Sequence, residues 1–283
     1  MPPLEISVEF FPPQTPEGEA KLEEARRRLT QRLRPAYHSV TYGAGGSTRE
    51  RTFAVVERLH RDGLDVAPHL SCIGASRAQI REILQQYQAL GVRRLVALRG
   101  DLPSGVRDPG ELRYASELVD FIRAETGDHF WIAVAAYPEY HPQAASALAD
   151  LDAFARKMHA GADCALTQYF YNPDAYAHFV EESRRRGVAA PIVPGIMPIT
   201  SFARLARFSD ACGAEIPRWI RKKMEAYGDD AESVRAFGLE VVVRLCERLL
   251  QLGAPGLHFY TMNQAEPTLA IAEALGLTAH RSR

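Results

Sequence analysis

The 283-residue sequence predicts an α/β protein, a (β/α)8 barrel, on three observations. Short runs rich in β-branched and aromatic residues alternate with longer amphipathic patterns, which is typical of a parallel sheet flanked by helices. Eight such units can be counted with nothing left over, which favours a closed barrel over the main alternative, a doubly wound open sheet. The length also fits, since such barrels take about 250 residues.

The predicted strands are, in chain order, Ile6–Phe11, His38–Tyr42, Val66–Cys72, Arg94–Arg99, Trp131–Tyr137, Ala165–Tyr171, Ile192–Ile196 and Leu257–Thr261. The predicted helices are Pro16–Leu33, Arg49–Arg61, Arg77–Leu90, Gly110–Glu125, Ala144–Ala160, Asp174–Arg186, Phe202–Ala211, Asp230–Leu252 and Glu266–Leu275. Three of these helices are followed by a glycine suited to a left-handed cap, at Gly91, Gly161 and Gly187. An extra helix begins near Ile216–Trp219, between strands seven and eight. We expect residues 1–283 to form a single TIM-barrel domain.

The composition excludes several classes of protein. With 34 basic and 35 acidic residues the net charge is −1, so no positive excess is available for a nucleic acid or a membrane surface. No apolar run approaches the roughly 18 residues of a membrane span, and no signal peptide is evident. The four cysteines are scattered through apolar segments, as reduced core thiols are. We therefore expect a cytoplasmic protein.

Catalytic groups of barrel enzymes lie at the carboxyl ends of the strands, and Glu9 is the first polar residue found there. It interrupts the apolar run Val8–Phe11, and Pro12 and Pro13 end the strand. A carboxylate among apolar groups is costly unless it is paired or protonated. We therefore expect a pKa above the ordinary value, which suits a general acid. The alternative interpretation is a structural ion pair.

Polar groups also follow other strands. Residues 43–48, after Thr41 and Tyr42, are rich in glycine, which permits close backbone approach to a ligand, although a tight turn is an equal alternative. The run Arg99–Asp101 ends strand four, where an arginine donor beside an acid fits a cofactor site. Gln168 in strand six suits either an amide-bearing heterocycle or a bond to the backbone.

Three further features are less specific. His69 lies inside strand three, where a lone histidine is more often a hydrogen-bonded core residue than a catalyst; no second histidine at ligand spacing accompanies it, so no metal is expected. The spacing of Asp150, Arg156 and Lys157, on the helix after strand five, by itself favours a plain helix surface. The segment Leu102–Gly110, with its prolines and glycines, is the candidate for a mobile lid.

Seven segments, each on its own predicted strand, carry a resemblance to a known family. They are Val8–Pro13, Ser39–Ala44, Ala67–Leu70, Ala97–Asp101, Ala136–Glu139, Thr167–Phe170 and His258–Asn263. Together and in this order they resemble the methylenetetrahydrofolate reductases in their short bacterial form, from about residue 6 to about residue 275. Seven ordered motifs are far more specific than any one of them.

The resemblance implies a flavoprotein barrel that takes hydride from NADH or NADPH onto FAD. The reduced FAD would then reduce 5,10-methylenetetrahydrofolate to 5-methyltetrahydrofolate, which feeds methionine synthesis. The resemblance also implies assembly as a homo-oligomer. By the same resemblance, Glu9 is the acid that protonates the folate so that its five-membered ring opens. Asp101 is the acid near flavin and pterin that stabilises the resulting cation.

The resemblance also implies two sets of binding residues. The substrate-binding residues would be Thr41, Asp101, Gln168, Arg204, Phe208, Tyr260 and Gln264. Among them the Gln168 amide would serve both substrates in turn, and Phe208 would pack on nicotinamide or folate. The FAD-binding residues would be Thr41, Tyr42, Ala44, His69, Arg99, Gly100, Asp101, Tyr114, Ala115, Tyr137, His141, Ala144, Asp150, Arg156 and Lys157. This replaces the helix-surface interpretation of the last three.

Two positions depart from the family pattern. Ala153 stands where the family often has Asn, so one polar FAD contact is absent or is replaced by Asp152. Gln264 stands where the family often has Arg, so one charged folate contact is missing unless Arg204 supplies a substitute.

Two alternative functions belong to other classes. Another FAD-dependent barrel oxidoreductase, resembling proline dehydrogenase, has no need of a proton donor to an aminal nitrogen, so Glu9 argues against it. A protein that only binds flavin or folate needs no acid in an apolar strand, so Glu9 and Asp101 together argue against that class.

Overall fold

The computed structural model describes residues 4–42, 49–101 and 110–278. Within these ranges the strands are β1 (Glu5–Phe10), β2 (Tyr37–Val40), β3 (Val66–Ser71), β4 (Arg94–Leu98), β5 (Trp131–Ala136), β6 (Cys164–Thr167), β7 (Ile192–Val193), β8 (Gly195–Ile196) and β9 (Gly256–Tyr260). The helices are α1 (Pro16–Leu33), α2 (Arg49–Arg61), α3 (Arg77–Leu90), α4 (Ala115–Thr126), α5 (Ala147–His159), α6 (Pro173–Arg185), α7 (Phe202–Cys212), α8 (Arg218–Tyr227), α9 (Ala231–Gln251) and α10 (Ala265–Ala274).

The strands form one parallel sheet in the order β7-β6-β5-β4-β3-β2-β1-β9-β8. The sheet closes because β7 and β8 are the two halves of a seventh strand, of which the first pairs with β6 and the second with β9. Pro194 separates the halves, since it has no N–H to donate, but its carbonyl accepts from His258 N at 3.0 Å. The predicted (β/α)8 barrel is confirmed, with the predicted strand Ile192–Ile196 divided at Pro194.

Side chains alternate between the inside and the outside of the barrel. On β1, Ile6, Val8 and Phe10 belong to the large core between the sheet and the helices. Ser7 and Glu9, the alternate residues, therefore face the interior of the barrel. The apolar layer inside the barrel consists of Tyr37, Ala67, Val96, Ala133, Cys164 and Leu166.

Two predicted helices begin several residues too early. α4 begins at Ala115 and not at Gly110, because Leu112 is fully buried ahead of it and the Glu117 carboxylate accepts the backbone N–H of Arg113 at 2.6 Å. These contacts hold residues 110–114 outside the helix. α5 begins at Ala147 and not at Ala144, because the hydroxyl of Ser146 caps it by accepting from Ala149 N at 3.1 Å.

The predicted strand Ala165–Tyr171 is also too long, since β6 ends at Thr167. The backbone N–H of Gln168 still bonds to the Ala136 carbonyl, at 2.7 Å, before the chain leaves the sheet. The extra helix predicted between strands seven and eight is confirmed as α8.

Other expectations concern single residues. Gly91, Gly161 and Gly187 have φ values of 89°, 109° and 77°, so the predicted left-handed caps are confirmed. All four cysteines are free, and only Cys212 is partly exposed. In the described ranges no helix has the length and apolar character needed to cross a membrane. The predicted lid, except Gly110, lies outside the described residues.

Candidate active site

A cavity of about 470 Å³ opens at the carboxyl ends of the strands. This volume lies in the range of small-molecule sites. Eight of the predicted site residues line it, namely Glu9, His69, Asp101, Tyr137, His141, Gln168, Phe208 and Tyr260. Apolar side chains that were not predicted complete the wall, among them Leu166, Met197 and Met262.

Glu9 lies between two imidazoles inside the barrel. Its Oε2 lies 3.4 Å from Nε2 of His258 and 3.2 Å from Nε2 of His69. The His69 nitrogen is not aligned for a hydrogen bond, so that contact is electrostatic. The Ser39 hydroxyl donates to the same oxygen at 3.5 Å. The Glu9 side chain is 15% exposed, so water reaches the carboxylate from the cavity side alone.

The charge state of Glu9 differs from the expectation. Burial raises its pKa, but the charges of His69 and His258 and the hydrogen bond to His258 outweigh burial and lower the pKa from 4.5 to about 2. The predicted upward shift is wrong, because the imidazoles on β3 and β9 have a larger effect on the carboxylate than the apolar neighbours along β1. Glu9 is a carboxylate at neutral pH.

His258 connects Glu9 to a second polar group, which the sequence argument missed. Its Nδ1 lies 2.7 Å from the Ser7 hydroxyl, while its Nε2 contacts Glu9. The three side chains form a continuous chain inside the barrel, and both ring nitrogens of the fully buried His258 are engaged. Strand alternation was the available signal, because Ser7 lies two residues before Glu9 and His258 two residues before Tyr260.

The opposite wall is closed by a contact across the mouth of the barrel. The Tyr260 hydroxyl on β9 donates to the Thr167 carbonyl at the end of β6, at 2.6 Å. It passes so close to Gly195 that a Cβ there would lie 2.7 Å from the hydroxyl oxygen. Beside it, the Gln168 side-chain carbonyl accepts from Tyr169 N at 3.0 Å, which leaves the Gln168 amide nitrogen without a partner among the described residues.

Charged side chains lie together on the β5 side of the cavity. Asp150 accepts the backbone N–H of His141 at 2.9 Å, and the Lys157 ammonium donates to the Ala135 carbonyl. Burial lowers the pKa of Lys157 to about 8, against the opposing effect of Asp150. The helix-surface interpretation from spacing is therefore wrong for Asp150 and Lys157, whereas Arg156 is exposed.

The charged side chains beside the cavity also include Arg99, just after the end of β4. Arg99 donates to the Gln143 side chain at 2.5 Å and to the Gly100 carbonyl at 3.1 Å. Gly100 has a φ of 83°, and a Cβ there would lie 1.9 Å from the Ser71 hydroxyl, so only glycine fits. Burial lowers the pKa of His141, and the neighbouring cations Arg99 and Lys157 lower it further. This side of the cavity suits an anion.

Twelve predicted residues do not line the cavity. They are Thr41, Tyr42, Arg99, Gly100, Tyr114, Ala115, Ala144, Asp150, Arg156, Lys157, Arg204 and Gln264. Ala44 lies outside the described residues. Arg204 is exposed on α7 and Gln264 is exposed at the start of α10.

Asp152, the residue expected to substitute for the missing asparagine at Ala153, pairs with Arg186 at 2.9 Å. Its role towards FAD stays a prediction.

Asn263 is a structural residue of the site that was not predicted from the sequence. Its amide donates to the Phe11 carbonyl at 2.9 Å and accepts from Phe11 N at 3.1 Å. Asn263 and Met262 have φ values of 54° and 52°, a conformation that asparagine tolerates better than most residues. The turn after β9 thereby fixes the backbone two residues beyond Glu9. A left-handed Met-Asn turn has no sequence pattern that would have indicated it.

A parallel α/β barrel with ionisable groups gathered at the carboxyl ends of its strands has the architecture of a barrel enzyme. The sequence model described as methylenetetrahydrofolate reductase matches residues 3–276. The chain therefore belongs to the methylenetetrahydrofolate reductase family, and the resemblance seen in the sequence is confirmed.

Individual relatives agree. The chain is 41% identical to the 5,10-methylenetetrahydrofolate reductases of Pectobacterium carotovorum subsp. carotovorum and of Escherichia coli (strain K12), over 97% of this chain and 91% of each relative. It is 36% identical to methylenetetrahydrofolate reductase (NADH) 1 of Zea mays, over 96% of this chain and 48% of the plant protein.

A solved structure supports the fold. A Clostridium thermocellum protein described as binding two copies of 5-methyl-5,6,7,8-tetrahydrofolic acid has a TM-score of 0.66 to this chain. It is 18% identical in sequence, and the match covers 96% of this chain and 93% of that one.

Proposed function

We propose that the protein reduces 5,10-methylenetetrahydrofolate to 5-methyltetrahydrofolate with hydride from NAD(P)H carried by bound FAD, and that it supplies methyl groups for methionine synthesis. Family membership supports the reaction class. The observation that carries the proposal is Glu9, held by His258 and His69 on the floor of the cavity, because reduction of this folate needs a proton at a ring nitrogen.

The residues beside the cavity fit FAD. Arg99 and the enclosed ammonium of Lys157 are cations suited to the phosphates. Bound there, FAD would supply the hydride-carrying isoalloxazine ring. The residues proposed to hold it are Thr41, Tyr42, Ala44, His69, Arg99, Gly100, Asp101, Tyr114, Ala115, Tyr137, His141, Ala144, Asp150, Arg156 and Lys157.

Because Glu9 is ionised at rest, the proton for the folate has to reach it from a neighbour. The nearest proton carrier is His258, whose Nε2 lies one hydrogen bond from Glu9 Oε2 while Ser7 engages the other ring nitrogen. A substrate that covers Glu9 excludes water and strengthens desolvation, which raises the pKa of the carboxyl group. The proton then moves from His258 to Glu9 and from there to the folate nitrogen.

The other proposed substrate contacts surround this proton donor. Asp101 would place negative charge near the cation formed when the folate ring opens. The amide nitrogen of Gln168, which has no partner in the described ranges, would donate to either substrate in turn, and Phe208 would pack on nicotinamide or pterin. Thr41, Arg204, Tyr260 and Gln264 complete the proposed set.

A spectroscopic experiment tests this function. The purified protein should show the visible absorption of a flavin, alone or after addition of FAD. Without oxygen, NADH or NADPH should bleach that absorption, and 5,10-methylenetetrahydrofolate should restore it. Testing the two nucleotides separately also identifies the preferred donor. A colourless protein that binds no added FAD would contradict the proposal.

A further inference from the structure

Helix α7 brings Phe208 to the rim of the cavity, and the fully buried face of the helix is small. Of its eleven residues only Leu205 and Ser209 are buried, and one of these is polar. Phe208 lines the cavity and is 39% exposed. Phe202, Ala206 and Cys212 pack against the core while only partly buried, so we expect polar contacts at the end of α7 to add to this limited apolar packing.

One such contact is the hydroxyl of Tyr169, two residues beyond the end of β6. The Tyr169 side chain is buried, and its hydroxyl lies 3.0 Å from the Ser209 hydroxyl and 3.5 Å from Cys212 Sγ. Both partners lie on α7, three residues apart and on the same face of its last turn. Burial raises the pKa of Tyr169, so the hydroxyl keeps its proton at neutral pH.

A second contact holds the chain just after α7. Glu139, in the segment that follows β5, accepts the backbone N–H of Glu215 at 2.7 Å. In the same place Gly213, which ends α7, packs so closely on Pro142 that a Cβ there would lie 2.6 Å from Pro142 Cγ. The segment that carries His141 therefore abuts the end of α7.

We propose that Tyr169 is a positioning residue, whose hydroxyl holds α7 and therefore Phe208 against the cavity. Glu139 provides a second contact, between the segment after β5 and the chain just after α7. The kinetic consequence rests on the proposed reductase function. The position of α7 is independent of that function and can be measured without turnover.

The test compares Tyr169→Phe with Tyr176→Phe. Tyr176 is a matched control, because it is another buried tyrosine, whose hydroxyl donates to the Ile192 carbonyl at 2.8 Å away from α7. For Tyr169→Phe the KM for NAD(P)H and for the folate should rise about two- to tenfold, the range that one neutral hydrogen bond supports, with kcat little changed. For Tyr176→Phe the melting temperature should fall with both KM values unchanged.

Thiol labelling reports on α7 directly. Cys212 is the one cysteine that is not buried, so a maleimide should react with it first in the folded protein. Labelling should be faster in Tyr169→Phe than in the wild type and unchanged in Tyr176→Phe. Glu139→Ala leaves the contact between Cys212 and Tyr169 in place but should also speed labelling, whereas Glu139→Gln, which keeps an acceptor oxygen, should restore the slow rate.

Two results would overturn the proposal. The first is equal KM values and labelling rates in Tyr169→Phe and the wild type. The second is an equal change in both phenylalanine variants, which would mean a general loss of stability. A wild-type protein without flavin would instead contradict the proposed function, while the labelling result would still decide the role of Tyr169.

Discussion

Glu9 is a residue whose charge depends on which of two opposing effects is larger. Burial disfavours the carboxylate, and the imidazoles of His69 and His258 favour it. The net fall of the pKa from 4.5 to about 2 corresponds to about 3 kcal/mol in favour of the ionised form. The resting site therefore contains a negative charge that can accept a proton from His258 before giving it to a substrate.

A Glu9→Gln substitution should separate the two half-reactions. Reduction of the flavin by NAD(P)H needs no proton from Glu9 and should keep its rate within a few-fold of the wild type. Reoxidation by 5,10-methylenetetrahydrofolate should slow by about 10²- to 10⁴-fold, the usual contribution of a general acid. Anaerobic stopped-flow absorbance measures both rates. Equal losses in the two half-reactions would contradict the proposed role.

The low pKa of Glu9 also predicts how stability varies with pH. Because the folded-state pKa lies below the unfolded value of 4.5, ionised Glu9 stabilises the fold above about pH 4.5. This contribution disappears as the pH falls towards 2. The free energy of unfolding of the wild type should therefore fall more steeply than that of Glu9→Gln between pH 4.5 and 2, by at most about 3 kcal/mol. Parallel curves from urea titrations would show that Glu9 is not paired.

At the scale of elements, the helices differ in what holds them. α9 has seven buried residues and one of them is Gly238, in the middle of the helix. A Cβ at Gly238 would lie 2.5 Å from the Ile199 carbonyl oxygen and 2.8 Å from Ile199 Cβ. Ile199 lies two residues before Ser201, which caps α7. α7 is therefore anchored at its start by close packing against α9 and at its end by polar contacts.

Gly238→Ala tests this packing, because helix propensity and packing predict opposite signs. Propensity alone would make alanine more stable by about 1 kcal/mol. The clash with the Ile199 backbone should instead destabilise the protein by about 1–3 kcal/mol. Ala236→Gly, at an exposed position of the same helix, is the control and should cost about 1 kcal/mol through propensity alone. A gain of stability in Gly238→Ala, measured by urea unfolding, would mean that the helix moves away freely.

At the scale of the whole molecule, local patterns in the sequence predict the order of strands and helices. They do not predict the contacts that barrel closure creates between residues far apart in the chain. Glu9 and His258 are 249 residues apart and meet because β1 pairs with β9. The apolar neighbours of Glu9 in the sequence therefore predicted that it lies in the site, and gave the wrong direction for its pKa. The division of the seventh strand, in contrast, can be predicted from the sequence. Pro194 is part of the strand, and its missing N–H is a property of that residue alone.

Thr167, the last residue of β6, adds a side-chain contact to barrel closure. Its hydroxyl accepts the N–H of the buried Gly195 at 2.9 Å, just beyond the break at Pro194. Thr268, on α10, is also fully buried, but its hydroxyl has no partner among the described residues. The two threonines therefore form a natural pair for measuring what closure contributes.

Thr167→Val should destabilise the protein by about 1–3 kcal/mol, because the shape is kept while a buried N–H loses its acceptor. Thr268→Val should be neutral or stabilising, because it removes a buried hydroxyl that bonds to nothing described. Urea unfolding measures both, and an unchanged m value in each variant ensures that the comparison concerns the same transition. Equal losses in the two variants would mean that the Gly195 N–H finds another acceptor and that the hydroxyl of Thr167 is not needed to join β6 to β8.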